Sequence, residues 1–405
     1  MKGGVRSKVL SLSFLLFFLF SADAILSFWA PNLVQDLFGS SAAMGFIISF
    51  SSVIGFGMDF IFPQLLKRAT VRELIAWSVL GVILFALLLW LGLKFPQVAI
   101  FLVAMGVWGI YYEFFGFASH QFIADTVPFK FHTSSWAFLG MFKNLAYFIG
   151  PMLGGWLILR GKGFPAWGAI LFALIGGVFL ILARKTQNRP IGVDLAEVNL
   201  IKEFEHWRVL ARYVWPMVVL CLFMGLIDSV FWTTGAIWTQ ELAKQSFWGA
   251  FFIPAYQLPS LFMGFAFAKW GIYSGKKKMA EKFLLLAGLF LAGIGLVKVI
   301  PLQVLLVFAS STMLAVSYPL ADAVYSDIVA RMGRQRNHLI GLSSSTINVA
   351  YIIGPISAGL VTSAVGEKAT FSLMGVVVCV VSIILLIYTP RKLHLPRTEI
   401  QSWEK

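Results

Sequence analysis

About twelve mostly apolar stretches joined by short polar connections constrain this chain more than any other feature. A helix needs about 20 apolar residues to cross roughly 30 Å of hydrocarbon. Such stretches run near 9–34, 42–66, 73–93, 97–124, 133–159, 165–183, 213–238, 247–268, 283–300, 302–326, 339–363 and 370–389 of the 405 residues. In lipid, backbone N–H and C=O groups must be satisfied within the segment itself, so runs of this length are helices. With 59% hydrophobic and only 12% charged residues and a mean hydropathy of +0.85, the chain lies outside the range of soluble domains. The expected class is all-α integral membrane with 12 transmembrane helices and little chain left for a soluble domain.

The formal charge of +14 is an orientation signal rather than a nucleic-acid footprint. Of 32 Lys and Arg, six (Lys94, Arg160, Lys162, Lys244, Lys298 and Lys368) fall in the odd-numbered connections, and Lys143 lies within a span. The other 25 lie in the two tails and the even-numbered connections. Basic residues stay on the cytoplasmic side, so both termini are expected there, in a multi-pass protein of the cytoplasmic (inner) membrane. Cys221 and Cys379 sit in expected spans without ligand-like spacing. No disulfide, metal site or cofactor is expected.

The chain repeats itself. "NLAYFIGPMLGGWL" at 144–157 is echoed by "NVAYIIGPISAGLV" at 348–361, an offset of 204. At an offset of 205, "SADAILSFWAPNLVQDL" falls on "LIDSVFWTTGAIWTQEL", pairing Asp23 with Asp228. An offset of 202 aligns "FIADTV" at 122–127 with "VYSDIV" at 324–329, pairing Asp125 with Asp327 and His120 with Asp322. At 209, "GFGMD" from Gly55 meets "GFAFA" from Gly264. Lys2, Arg6 and Lys8 before the first apolar run, with Ala22-Asp23-Ala24 inside it, also fit a cleaved secretory signal. A discarded signal would have no twin in the seventh span. The expected plan is a six-helix bundle at 1–184, a linker at 185–212, a second bundle at 213–390 and a tail at 391–405. Six spans per half give both halves the same polarity, so they are parallel repeats. In the linker, Val198, Ile201, Phe204, Trp207 and Leu210 recur at helical spacing, which fits an amphipathic surface helix or a plain connection.

These residues resemble the major facilitator superfamily over the whole chain. The fifth span is similar to the pattern G-x8-G-x3-GP-x2-GG of its drug:proton antiporters: Gly150, Pro151, Gly154 and Gly155 match, while Ala137 and Ala146 replace the first two glycines. Gly354, Pro355 and Gly359 in the eleventh span equally fit close helix packing in both halves. The family's signature between spans 2 and 3 survives as Gly55 and Asp59, with Phe60 and Phe62 at the next positions and Lys67-Arg68 arriving late. Its second copy keeps Gly264, Lys269 and Gly271, with Ala268 in place of the aspartate and Lys276, Lys277 and Lys278 following. The resemblance implies alternating access of a small molecule in a lipid bilayer by a monomer, and Asp59 as the acidic member of a latch.

Charges stand where they are expensive. An ionised Asp at a span centre costs about 2.5 to 3.5 kcal/mol, yet Asp23, Glu113, Lys143 and Asp228 all fall near mid-depth. Taking a carboxyl out of water disfavours its charged form, which makes Asp23, Glu113 and Asp228 candidate proton-coupling residues, joined by His120 and Asp322. A static Glu113–Lys143 ion pair is the competing reading. Substrate-cavity candidates are Trp29, Tyr112, Lys143, Asn144, Trp232, Tyr318, Tyr325 and Asn348, with Trp108, Tyr111 and Phe231 also on helices that line the cavity in the family. Gate or packing positions are Asp59, Asp125, Lys269 and Asp327 together with the glycines and prolines of spans 5 and 11.

The expected activity is secondary transport of a small organic solute coupled to protons, with efflux of cationic or amphipathic compounds favoured by the excess of acid in an aromatic-lined cavity and by the partial antiporter motif. Proton symport of a sugar or other neutral metabolite is the alternative. A membrane-embedded lipid-modifying enzyme would need a nucleophile or metal cluster, and no His-x-x-x-His, Cys-x-x-Cys or Gly-x-Ser-x-Gly is present. No phosphate-binding Gly-rich loop points to ATP. The expectation is therefore not an enzyme.

Overall fold

Apolar runs become helices throughout. The computed structural model describes residues 3–65, 69–127, 132–182, 200–270, 275–329 and 336–390, and every regular element among them is helical. The first half comprises α1 (Gly3–Phe38), α2 (Ser41–Leu65), α3 (Val71–Lys94), α4 (Val98–Thr126), α5 (His132–Arg160) and α6 (Phe164–Leu182). The second comprises α7 (Leu200–Trp232), α8 (Thr234–Gln245), α9 (Phe252–Trp270), α10 (Lys276–Gly293), α11 (Ile300–Val329), α12 (Arg336–Val365) and α13 (Glu367–Tyr388). α7 and α8 form one span interrupted at Thr233, giving twelve spans. Among the described residues, ten of the helical stretches are long and apolar enough on their own to cross a membrane.

Local sequence sets the ends. Thr70 opens α3 with a reciprocal cap: its Oγ1 accepts from the Glu73 N–H at 3.2 Å, and the Glu73 carboxylate accepts from the Thr70 N–H at 2.7 Å. Gly39 (φ 61°) and Gly366 (φ 83°) turn the chain sharply between α1 and α2 and between α12 and α13, in a backbone region that side chains disfavour. The linker's helical spacing belongs to α7 itself. From Leu200 the chain is one helix of 33 residues, about 50 Å long at about 1.5 Å per residue. Its Phe204 is exposed while Leu210 is buried. The second bundle's first helix thus starts ahead of the expected boundary at 213, and 185–199 lie outside the described residues.

The helix pairing repeats as the sequence does. Contacts α1/α5, α1/α6, α3/α4, α2/α4 and α3/α6 recur as α7/α12, α7/α13, α10/α11, α9/α11 and α10/α13. Each half has its own apolar core, one around Leu19, Ile25, Phe85 and Phe115, the other around Met217, Phe231, Phe252 and Phe371. Large apolar side chains left exposed, such as Leu80 on α3, Ile181 on α6 and Val380 on α13, face outward where lipid replaces water. Lipid tails are as apolar as the core, so close packing and hydrogen bonds hold such helices together.

The halves join through α2 against α12 and α5 against α9. On the face opposite the chain termini the backbones nearly touch. The Ala42 N–H donates to Ser363 Oγ at 3.1 Å. A Cβ built on Gly45 would lie 2.1 Å from the Pro355 carbonyl oxygen, and one on Gly359 would lie 2.2 Å from that of Ser41.

The lysines after the second signature tie helix ends together. Lys277 Nζ donates to Glu281 at 2.7 Å, to the Pro390 carbonyl at 3.1 Å and to Thr389. Lys278 Nζ caps the end of α13 through the carbonyls of Leu386 at 2.7 Å and Leu385 at 3.1 Å.

Candidate functional site

Small residues put the polar groups in reach of one another. A Cβ on Gly150 would stand 2.3 Å from Ala24 Cβ, and one on Gly154 would stand 3.1 Å from the Phe28 ring, so α5 lies directly on α1. Gly354 plays the same part for α12, where a Cβ would collide with Ser229 of α7. Tyr147 and Tyr351 lie three residues before these glycines, on the same helix face. Each therefore points at the aspartate of the neighbouring span.

Asp23 is completely buried. Its carboxylate accepts from Tyr111 and Tyr147 hydroxyls at 2.5 Å each, from Trp108 Nε1 at 3.0 Å and from Ser27 Oγ at 3.3 Å. Those four donors match the roughly four lone-pair sites of a carboxylate. Its twin Asp228 accepts from Tyr256 at 2.7 Å and from Tyr351. The Asp23–Tyr147 pair thus recurs as Asp228–Tyr351. The other donors differ, coming from α4 and from Ser27 of α1 itself in the first half and from α9 in the second.

Lys143 stands between the two. Its Nζ donates to Tyr112 Oη at 3.0 Å, with the rings of Phe20, Tyr112 and Tyr147 at 5.3, 5.4 and 5.8 Å. Among the described residues no carboxylate comes within 4.0 Å of it, although Asp23, Asp228 and Glu113 all act on it electrostatically. The Glu113–Lys143 ion pair considered from sequence is not formed. Glu113 turns toward α2, where its carboxyl hydrogen-bonds with that of Asp59. Adjacent helix positions point about 100° apart, so Tyr112 faces α5 while Glu113 faces α2.

The remaining expected residues are spread more widely. Asn348 Nδ2 donates to Asp59 at 2.5 Å, joining the halves, and Asn144 Nδ2 donates to the Ser260 carbonyl at 3.5 Å across the α5/α9 contact. Trp232 packs edge-on against Tyr147 at 5.1 Å between ring centroids. Trp29 is buried in the first half's core. Tyr318 donates to the Met224 carbonyl at 2.9 Å, Tyr325 is buried, and Asp322 is exposed. Pro151 and Pro355 lie inside α5 and α12, and a Cβ on Gly155 would meet Phe28 at an ordinary 3.8 Å. The side chains of His120, Asp125, Lys269 and Asp327 lie outside the described residues. Sequence reasoning did not select Tyr147, Tyr351 or Tyr256. The first two carried a signal, an identical Tyr in register in both halves; Tyr256 carried none.

Two parallel six-helix halves around polar side chains at mid-depth define a membrane transporter rather than an enzyme. The chain belongs to the Major Facilitator Superfamily, whose profile matches residues 12–307 and 255–404. No similar sequence is found among curated proteins. Among solved structures, the human organic anion transporter MFSD10 (TETRAN) superposes with a TM-score of 0.67 at 19% identity, covering 94% of this chain and 99% of that one. A point mutant of the nucleoside transporter NupG gives 0.67 at 11% identity, covering 98% and 100%. A point mutant of the peptide transporter POT gives 0.71 at 15% identity, covering 95% and 94%. Solutes this varied on one architecture leave the substrate to the site.

Proposed function

We propose that the chain is a proton-coupled secondary transporter of an amphipathic organic solute, with Asp23 and Asp228 as its proton-binding groups. The observation that carries this is the repeated Asp–Tyr pair, one in each half, on the helices that pack across Lys143. An ionised carboxylate only accepts hydrogen bonds, whereas a protonated one must donate. Protonation of Asp23 therefore reverses a bond to Tyr111, Tyr147 or Ser27, whose hydroxyls work either way, while the Trp108 N–H cannot reverse. Reversal at Tyr147 alters the contact between α1 and α5, and reversal at Tyr351 alters that between α7 and α12 when Asp228 is protonated. A proton moves a conformational equilibrium only by binding one state better, and a bond that changes direction supplies such a difference.

Tyr112, 37% exposed, and Trp232 offer the solute an aromatic wall. The neutral-metabolite alternative draws on Asn144, Asn348 and the tyrosines, most of which are here engaged in bonds between helices. The test is a pH-sensitive dye inside proteoliposomes challenged with a panel of amphipathic solutes. An interior pH change evoked by a solute, absent in Asp23→Asn/Asp228→Asn, is expected, and its sign separates export by antiport from symport. Solute uptake with no pH response in any arm would sink the proposal.

A further inference from the structure

The site contains one mid-depth cation whose partners are all weak. Lys143 sits at the twelfth position of the 29-residue α5, where an ammonium is costly unless paired. It has three N–H donors. One goes to Tyr112, itself 37% exposed. The carboxylates that would ordinarily claim the others are committed elsewhere: Asp23 to Ser27, Trp108, Tyr111 and Tyr147, Asp228 to Tyr256 and Tyr351, and Glu113 to Asp59. Three aromatic rings within 6 Å keep the ammonium in place without neutralising it.

We infer that Lys143 and Tyr112 form the docking point for an anionic group, a carboxylate or similar oxyanion, carried on the transported solute. This rests on the transport reading above and names the chemistry of its substrate. The ammonium supplies a charge-assisted bond and the Tyr112 hydroxyl turns to donate a second. The aromatic side chains around them receive an apolar or aromatic body. The acidic side chains of the cavity, which pointed toward a cation, are hydrogen-bonded to groups other than Lys143.

Calorimetric titration of the purified full-length chain in detergent with three probes of one shape tests it: 2-naphthoate, neutral 2-naphthamide and cationic 2-naphthylmethylamine. Saturable binding of the naphthoate, at least tenfold tighter than the amide or the amine, is expected. Lys143→Gln should weaken it at least tenfold, Tyr112→Phe by a few-fold, and Lys143→Arg should keep it within a few-fold, which separates lost charge from lost folding. Preference for the amine, no saturable naphthoate binding, or unchanged naphthoate affinity in Lys143→Gln overturns the inference. Failure of the two readings is distinguishable. Naphthoate binding that persists without any solute-evoked pH change removes proton-coupled transport alone. Proton-coupled movement of the amine, indifferent to Lys143→Gln, removes the anion site alone.

Discussion

Gly45→Ala should open the face on which the halves now touch. Its new Cβ would stand 2.1 Å from the Pro355 carbonyl oxygen, and ordinary contact begins at 3.4 Å, so α2 and α12 must separate by about 1.3 Å. Backbone blocks the way, so no rotamer change relieves the clash. Overpacking of this kind costs about 1 to 3 kcal/mol. Charged only to the state closed on this face, it shifts the population by about five- to 150-fold at about 1.4 kcal/mol per factor of ten. The assay is thiol crosslinking of Ala42→Cys with Ser363→Cys, positions now joined by a 3.1 Å hydrogen bond, after replacing Cys221 and Cys379. Gly57→Ala on the same helix is the control, since its Cβ meets nothing within 4 Å. Crosslinking should fall several-fold in Gly45→Ala and stay put in Gly57→Ala. Equal yields in the two would refute the claim that the close approach at Gly45 holds α2 and α12 together on this face.

Other consequences are as concrete. Removing the buried carboxylate in Glu281→Ala strands Lys277, which should lower stability by about 3 to 5 kcal/mol; an unchanged thermal midpoint in detergent would contradict the role given to this cluster. Among the described residues, Tyr147→Phe deletes one of four donors to Asp23 and Tyr351→Phe one of two to Asp228, so the second should slow proton-coupled flux more in vesicles, and the reverse order would count against the pairing. Naphthoate binding should tighten as pH falls. The charged groups acting on Lys143 are Asp23 on α1, Glu113 on α4 and Asp228 on α7, and protonating any of them leaves its positive charge freer for an anion. Weaker binding at low pH, short of protonating the naphthoate, would refute that sign.

The fold was legible because membrane helices declare themselves by length and apolarity, and because the two halves share residues in register. Apolar patterning does not mark the break at Thr233, where α7 and α8 read as one run. Nor does it show that the linker's helical spacing runs on into α7. At the site, depth was legible and azimuth was not. Glu113 and Lys143 are expected at the same depth from their span positions, yet one helical step puts Tyr112 in front of the lysine. The match of Asp23 to Asp228 was plain in the repeat. Their shared tyrosine stands in register in a different pair of strings, at 147 and 351, and nothing in the sequence ties it to the aspartates of another span. Trp108, Tyr111 and Tyr256 reach their aspartates only through helix packing particular to each half.

The most direct measurement is the equilibrium accumulation of a transported solute in proteoliposomes as a function of the imposed pH difference. For the wild-type chain, accumulation should change about tenfold per pH unit for each coupled proton, since one unit corresponds to about 1.36 kcal/mol. In Asp23→Asn/Asp228→Asn the slope should drop to zero while solute exchange at equal pH continues. A wild-type slope in that double variant would contradict the assignment of proton coupling to the two aspartates.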